Sequence, residues 1–231
     1  MKCRLKFAKL DDIKFIGHLD LMRVFQKAIR RAGIPIAYSE GYNPHQLLTF
    51  PQPLALGTTS EGEYIEMQLT KDMDIQILCR QLNEQMPWGV QLLGGIILKE
   101  DSPKGMAVVR GATYELIYSV NFFDANDISV IIKEFLQQTE ILFEKQGKSK
   151  NTMVNIRDGI YSMKGIKHEN IIRFKLFIAT GSKQNIRPEW VIEKFFEFCG
   201  QPFILSKVQI HRTDLFTQKE GQWISLEDFI E

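Results

Sequence analysis

The sequence predicts an α+β protein with antiparallel sheets, and three observations carry that prediction. Short segments in which apolar and polar residues alternate recur along the whole chain, as half-buried strands require. Four other segments carry apolar residues at helical spacing, and each lies between strands. The order of segments then starts again near residue 113, so the same arrangement is expected twice.

Each element has its own signal. Residues 3–10, "CRLKFAKL", alternate and read as a strand. In "FIGHLDLMRVFQKAIRRAG" the residues Leu21, Met22, Phe25, Ala28, Ile29 and Ala32 recur at helical spacing. Gly17 is placed to cap this helix, Asp20 falls in its first turn where a carboxylate is favoured, and Gly33 and Pro35 stop it. "IPIAYS" reads as a short extended piece, and the stretch from Glu40 to Gly62 is rich in turns, with a short hairpin expected around "PLALGTTS". "GEYIEMQLT" is a strand, "DMDIQILCRQLNEQM" a helix with Ile75, Leu78, Leu82 and Met86 on one face, and "VQLLGGIIL" a strand.

The second half repeats the order. "TYELIYSV" is a strand and "DANDISVIIKEFLQQ" a helix with Asp or Asn caps and a face of Ile128, Ile131, Ile132 and Phe135. "EILFEK", "TMVNIRDGIYSMKGI" and "IIRFKLFIAT" supply strands, with a basic turn at "KQGKSKN". "RPEWVIEKFFEFCG" is a helix with Pro188 in its first turn and Gly200 just past its end, and "FILSKVQIHR" is a final strand followed by a docking tail or terminal helix. Each half thus reads strand, helix, strand, strand, helix, strand, the ferredoxin-like order. Two tandem ferredoxin-like (βαββαβ) units are expected, at residues 1–99 and 113–231, joined by a linker at 100–112.

Composition narrows the function. The chain of 231 residues has 29 Lys and Arg against 28 Asp and Glu, so any nucleic-acid role must rest on a local patch. No stretch reaches the roughly 18 apolar residues of a membrane span, and the first ten residues lack the apolar core of a secretory signal. Cys3, Cys79 and Cys199 are far apart and form no CxxC pair, which fits reduced thiols in a cytoplasmic protein. "GTTSEGE" lacks the Walker lysine and reads mainly as a turn, and no cofactor or metal motif is present.

One constellation could carry chemistry. At about 100° per residue, Arg23, Lys27, Arg30 and Arg31 fall within a third of the first helix, opposite its apolar face. An ordinary solvated face would look similar, and the helix macrodipole alone favours Arg30 and Arg31 at the C-terminal end. Here, however, the basic face feeds directly into "SEGYNPHQLLTF". Tyr42 can stack on a base, Asn43 and His45 can hydrogen-bond a phosphate or base, and guanidinium groups grip phosphates in pairs of bonds. His18, in the first turn, and His45 would make an acid–base pair if they faced each other.

The same residues resemble a known family. His18-Leu19-Asp20, Arg30-Arg31-Ala32-Gly33, the run from Ser39 to His45, and Ser60-Glu61-Gly62-Glu63 are similar to the N-terminal signature of the radical-SAM-linked domain of bacteria. The block spans about a quarter of the chain, and Ile156-Arg157 and His211-Arg212 match more loosely. The resemblance implies a radical SAM protein as partner. The cluster itself cannot sit here, because no CxxxCxxC is present. The sequence departs from the family at Gly17, where serine is expected, and at Asn155, where aspartate is common.

Three functions follow as expectations. The first is an RNA-binding or substrate-presenting accessory partner of a radical SAM enzyme, in RNA modification or ribosome-related metabolism. The second is an RNA-processing or RNA-modifying enzyme using His18 and His45. The third is a protein-only adaptor for the radical SAM partner.

Overall fold

The computed structural model describes residues 1–120, 128–147 and 150–230. The caps expected ahead of the second-half helix, at Asp124, Asn126 and Asp127, lie outside the described residues, as do Lys148 and Ser149 of the basic turn. Along the chain run β1 (Lys2–Lys9), α1 (His18–Arg31), β2 (Leu48–Thr49), β3 (Thr59–Gln68), α2 (Ile75–Asn83), β4 (Val90–Leu98), α3 (Gly105–Val108) and β5 (Gly111–Ser119). They are followed by α4 (Ile128–Leu136), β6 (Leu142–Lys145), β7 (Thr152–Asn155), β8 (Ile160–His168), β9 (Ile171–Ala179), α5 (Pro188–Phe198), β10 (Val208–Lys219) and β11 (Gln222–Ser225). This is a mixed α+β fold with mostly antiparallel strand pairing and few helices.

Two compact units divide the chain. One comprises Met1–Arg110 and Arg212–Glu231, the other Gly111–His211. Residues 212–231, which follow the second half in sequence, thus group with the first. In the first unit the strand order is β4-β1-β3, with β2 on β3, the later part of β10 beside β3, and β11 on β10. α1 and α2 cover one face of this sheet. Leu21, Phe25, Ala28 and Ile29 of α1 and Leu78, Cys79 and Leu82 of α2 are buried against Cys3, Leu5 and Phe7 of β1. Phe7, Phe25 and Phe50 meet edge to face, with centroids 4.9 to 5.9 Å apart, and burying each such ring is worth roughly 1.5–3 kcal/mol.

The second unit has the order β5-β9-β8, while β6 and β7 form a separate two-stranded ribbon. Its core is aromatic: Phe135 of α4 and Phe195 of α5 pack at 5.6 Å, and Phe174 of β9 meets Phe195 at 5.5 Å.

Several sequence expectations need correction. No hairpin forms around "PLALGTTS": β3 already begins at Thr59, and its short partner is β2. The expected linker at 100–112 contains α3, whose Gly105 is buried and donates its N–H to Glu66 at 2.9 Å. The tail forms no helix at "GQWIS". Those residues make β11, which pairs antiparallel with β10.

Candidate functional site

α1 starts and stops where the sequence places it. Gly17 is the extended N-cap but has no side chain to offer, so the first-turn N–H groups receive no side-chain cap. At the other end Gly33 adopts φ 65°, a left-handed conformation that glycine takes without steric cost. Gly33 N donates to Arg30 O at 3.2 Å and Ile34 N to Ile29 O at 3.1 Å, the paired bonds of a Schellman stop. The chain then leaves the helix directly into the loop.

The loop has a laddered base and an open tip. Leu47 N donates to Ala37 O at 2.8 Å and Ser39 N to His45 O at 2.9 Å. The Ser39 hydroxyl closes the loop further, lying 2.8 Å from His45 Nδ1 and accepting from His45 N–H at 3.1 Å. Above this base Gly41 takes φ 111°, which turns the chain, and Gly41 to Pro44 are exposed. Tyr42 is completely exposed (105%) and Tyr38 half exposed (49%).

Gln46 joins this loop to the helix. Its side chain is buried, and its Nε2 donates to Gln26 O on α1 at 3.4 Å and to Tyr38 Oη at 3.5 Å. Lys27 is next to Gln26 in sequence and Arg30 one turn on, so the tie brings the aromatic loop alongside the basic stripe of α1. Lys27 and Arg30 are exposed and have no ion-pair partner among the described residues. The other two basic residues are engaged. Arg23 pairs with Asp20 at 2.8 Å, and Arg31 donates to Gln85 O at 2.5 Å and to Gln85 Oε1 at 3.3 Å. Asn43 sits exposed at the tip.

His18 and His45 are not brought together. The His18 ring packs edge to face on Phe50 at 5.3 Å, whereas His45 bonds to Ser39. No hydrogen bond or ring contact joins them among the described residues. Nor do three or more His, Cys, Asp or Glu side chains converge as metal ligands among those residues.

The segment "SEGE" is not the turn the sequence implies. It lies within β3, and its residues build a buried polar cluster with Arg212 of β10. Arg212, 2% exposed, grips Glu63 with two nitrogens: Nε at 2.7 Å and Nη2 at 2.5 Å, with Nη2 also reaching Gln52 O at 2.8 Å. Ser60 donates its hydroxyl to Arg212 O at 2.9 Å and accepts from Gly62 N. A side chain at Gly62 would run into the backbone of Thr213 and Asp214.

Two further groups lie on the other face of the sheet. Arg4 donates to Glu66 at 2.8 and 3.0 Å and to the carbonyls of Leu226 and Phe229. Lys6 bonds Glu227 at 2.7 Å and lies 3.5 Å from Asp214, which also accepts from Tyr64 at 2.6 Å and from Ser225 at 2.8 Å. Burial, with Asp214 next in effect, drives the Tyr64 pKa well above the ordinary tyrosine value. Burial also lowers the pKa of Lys9, whose ammonium donates to the carbonyl of Ile16 at 2.9 Å. Ser60–Glu63 and Arg212 stand out in the resemblance, but no local pattern pairs them, because Glu63 and Arg212 are 149 residues apart.

Asn155, the second departure from the family pattern, has a structural role. Its Oδ1 accepts from Ile141 N and Arg157 N, both at 3.0 Å, and fixes the turn after β7. In the same turn Arg157 Nε donates to Leu136 O at 2.8 Å.

Comparison with known proteins places these features. No curated protein matches the sequence. Among solved structures, a chain from the crystal structure of a Cbf5-Nop10-Gar1 complex superposes with a TM-score of 0.54 at 11% identity, over 94% of this chain and 50% of that one. This chain therefore spans about half the length of that neighbour, and the likeness is one of fold. An unknown protein from Galdieria sulphuraria gives a TM-score of 0.25 at 12% identity, over 93% of this chain and 97% of that one. The match to a family model is direct, and it covers His18, the loop from Ser39 to His45 and the "SEGE" strand. Through residues 2–188 the chain belongs to the family described as "Uncharacterized protein conserved in bacteria (DUF2344)".

Proposed function

We propose that this protein is an RNA-binding accessory component that presents RNA to a radical SAM partner enzyme. The observation that carries the RNA reading is the Tyr42 ring, fully exposed at the tip of a loop tied to a basic helix. An aromatic ring held in water contributes nothing to a core. On a single-stranded ligand it stacks a base, which is worth roughly 1–3 kcal/mol. Lys27 and Arg30, without counter-ions nearby, are placed to meet the phosphates flanking that base. Asn43 and His45, exposed on the same loop as Tyr42, can hydrogen-bond the nucleotide.

Two finer readings go with this proposal. Both halves are tandem ferredoxin-like units, a reading supported by the β4-β1-β3 order with β2 on β3, and by β5-β9-β8. The radical SAM partner rests on the resemblance of the signature block from His18 to Glu63. The neighbour of similar fold was solved within a Cbf5-Nop10-Gar1 complex, which accords with a role inside an assembly.

The test is binding of a fluorescent single-stranded RNA at two salt concentrations by wild type and by the double variant Lys27→Glu/Arg30→Glu. The variant is expected to bind at least tenfold more weakly. Its logarithmic salt slope should shrink by about 1.4, for two phosphates at roughly 0.7 each. Equal binding by a folded variant overturns the assignment. A second reading, a protein adaptor, is favoured by Phe15, Leu19 and Leu56, each about two-thirds exposed. Capture of the radical SAM protein by a chain that binds no RNA would favour it.

A further inference from the structure

β4 is an outer edge of the first unit's sheet: in the order β4-β1-β3 no strand pairs with its far side among the described residues. A bare edge is a template for another strand, and proteins usually blunt it with charge or proline. The strand Val90–Leu98, "VQLLGGIIL", holds neither. Its first half is nonetheless closed. Asn83 of α2 donates its Nδ2 to Leu92 O at 3.0 Å, and Leu92 N donates to Asn83 Oδ1 at 2.7 Å. The amide thus fills both backbone groups of Leu92, as a neighbouring strand would. Leu93 then has no partner on β1, since the register steps from Phe7–Leu92 to Lys6–Gly94, and this bulge interrupts the edge. The run Gly94–Leu98 stays open.

Three observations bear on what this run accepts. Gly94 is a glycine that the fold does not require. Its φ is not positive, and a Cβ added there would meet nothing within 4 Å, whereas one at Gly95 would strike Leu5. Such a strand glycine often marks the close approach of another backbone. Second, Gly95 stands opposite Leu5 and Ile97 opposite Cys3, so both positions share the helix-covered face. One offers a side chain that is 54% exposed and the other offers none. Third, a groove of about 960 Å³ runs between α2 and this edge, and its charges are mixed: Asp74 and Glu84 against Arg80. Nothing there attracts a polyanion, so the edge is not a further RNA surface.

We infer that this edge pairs with the same edge of a second copy of the chain, antiparallel about a two-fold axis at Ile96. In a two-fold contact residue i meets j and j meets i. Gly95 and Ile97 satisfy that condition on one short strand. About the axis each copy's exposed Ile97 lies opposite the partner's Gly95, on the same face, and Ile96 meets its own counterpart. The contact is independent of the RNA reading. Leu48 of β2 and Cys3 of β1 flank Met67 of β3 from opposite sides, so the aromatic loop, which leads into β2, lies across the sheet from this edge. A pairing this short buries less than the roughly 800 Å² per partner of a standard interface, so the dimer is a reversible one.

Sedimentation equilibrium of the full-length chain across micromolar concentrations is the first arm of the test. The mass is expected to rise from 26.8 kDa toward twice that value. Ile97→Lys, at a half-exposed position, should weaken the association at least tenfold. The second arm places a cysteine at the axis, with the half-exposed Cys199 replaced by serine. Ile96→Cys should form an interchain disulfide on mild oxidation, because opposed Cα atoms of antiparallel strands stand about 4.5–5.5 Å apart. Ile97→Cys, opposite Gly95, should not. A monomer at every concentration, with no cross-link, overturns the inference and leaves the edge to an extended segment of another protein. A dimer that neither cross-links through Ile96→Cys nor responds to Ile97→Lys also overturns it, since the copies then meet elsewhere.

Discussion

Arg212 shows how much one residue can carry through a partner that no local pattern names. It is 2% exposed and bonded twice to Glu63, which is itself buried. Two charges taken out of water gain little net stability as a pair, but removing one strands the other. Arg212→Met is therefore expected to cost about 3–5 kcal/mol, read as a shift in the urea midpoint at constant slope. The double variant Arg212→Met/Glu63→Leu should recover most of that loss, and failure to recover would mean that the carbonyl of Gln52 carries the energy. Tyr42 is the opposite case. Its place in a Gly-Tyr-Asn-Pro run was enough to put it on a turn, and the turn leaves it exposed. Sequence patterns report neighbours in the chain, so the exposed turn of Tyr42 was legible, whereas the pairing of Glu63 with Arg212, 149 residues apart, was not.

At the scale of elements, helices were the most legible part. α1 has a cap, an apolar face and a glycine stop within one short window, and the structure places it at His18–Arg31. Strands were harder, because alternation was taken to mean one apolar and one wetted face. β1 breaks that rule. Cys3, Leu5 and Phe7 enter the core, while Arg4 and Lys6 line a second buried or half-buried face that closes on β10, β11 and the residues after them. For the same reason "SEGE" read as a turn, although Gly62 is small because another strand's backbone passes over it. This layer makes stability depend on pH. Burial alone would lower the pKa of Lys6, but its bonds to Glu227 and Asp214 outweigh that and raise it above 10.5. A raised folded pKa means stabilisation that is complete below the unfolded value and lost as pH rises through the folded one. Lys9 acts in the opposite sense, since its lowered pKa penalises the folded state until the pH rises. Comparing wild type with Lys6→Met cancels the Lys9 contribution. The wild type's advantage in urea midpoint should be constant from pH 8 to about 10 and shrink above 10.5. An advantage unchanged at pH 11.5 would mean that Lys6 acts through packing alone.

At the scale of the molecule, chain order and spatial grouping differ. The first unit is left at Arg110 and completed only after Arg212, so the second unit is an insertion in the first. Two of the first unit's buried cations depend on the returning segment: Arg4 bonds the carbonyls of Leu226 and Phe229, and Lys6 bonds Asp214 and Glu227. Glu63 in turn depends on Arg212. A chain ending at His211 would leave all three without these partners, and the summed cost is comparable to the roughly 5–15 kcal/mol that holds a typical domain. The 1–211 fragment is therefore expected to lose the amide protection of β1 and β3 in hydrogen exchange, while the second unit keeps the protection of β9. Conversely, residues 1–110 joined to 212–231 by a glycine linker should fold alone, because Arg110 N donates to Phe216 O at 2.8 Å, four strand residues from Arg212, a gap of roughly 13 Å that a few glycines span. Because the loop from Ser39 to His45, Lys27 and Arg30 all lie in that unit, the joined chain should bind single-stranded RNA within threefold of the full-length protein. A folded, joined chain that binds tenfold more weakly would place part of the RNA contact in the second unit.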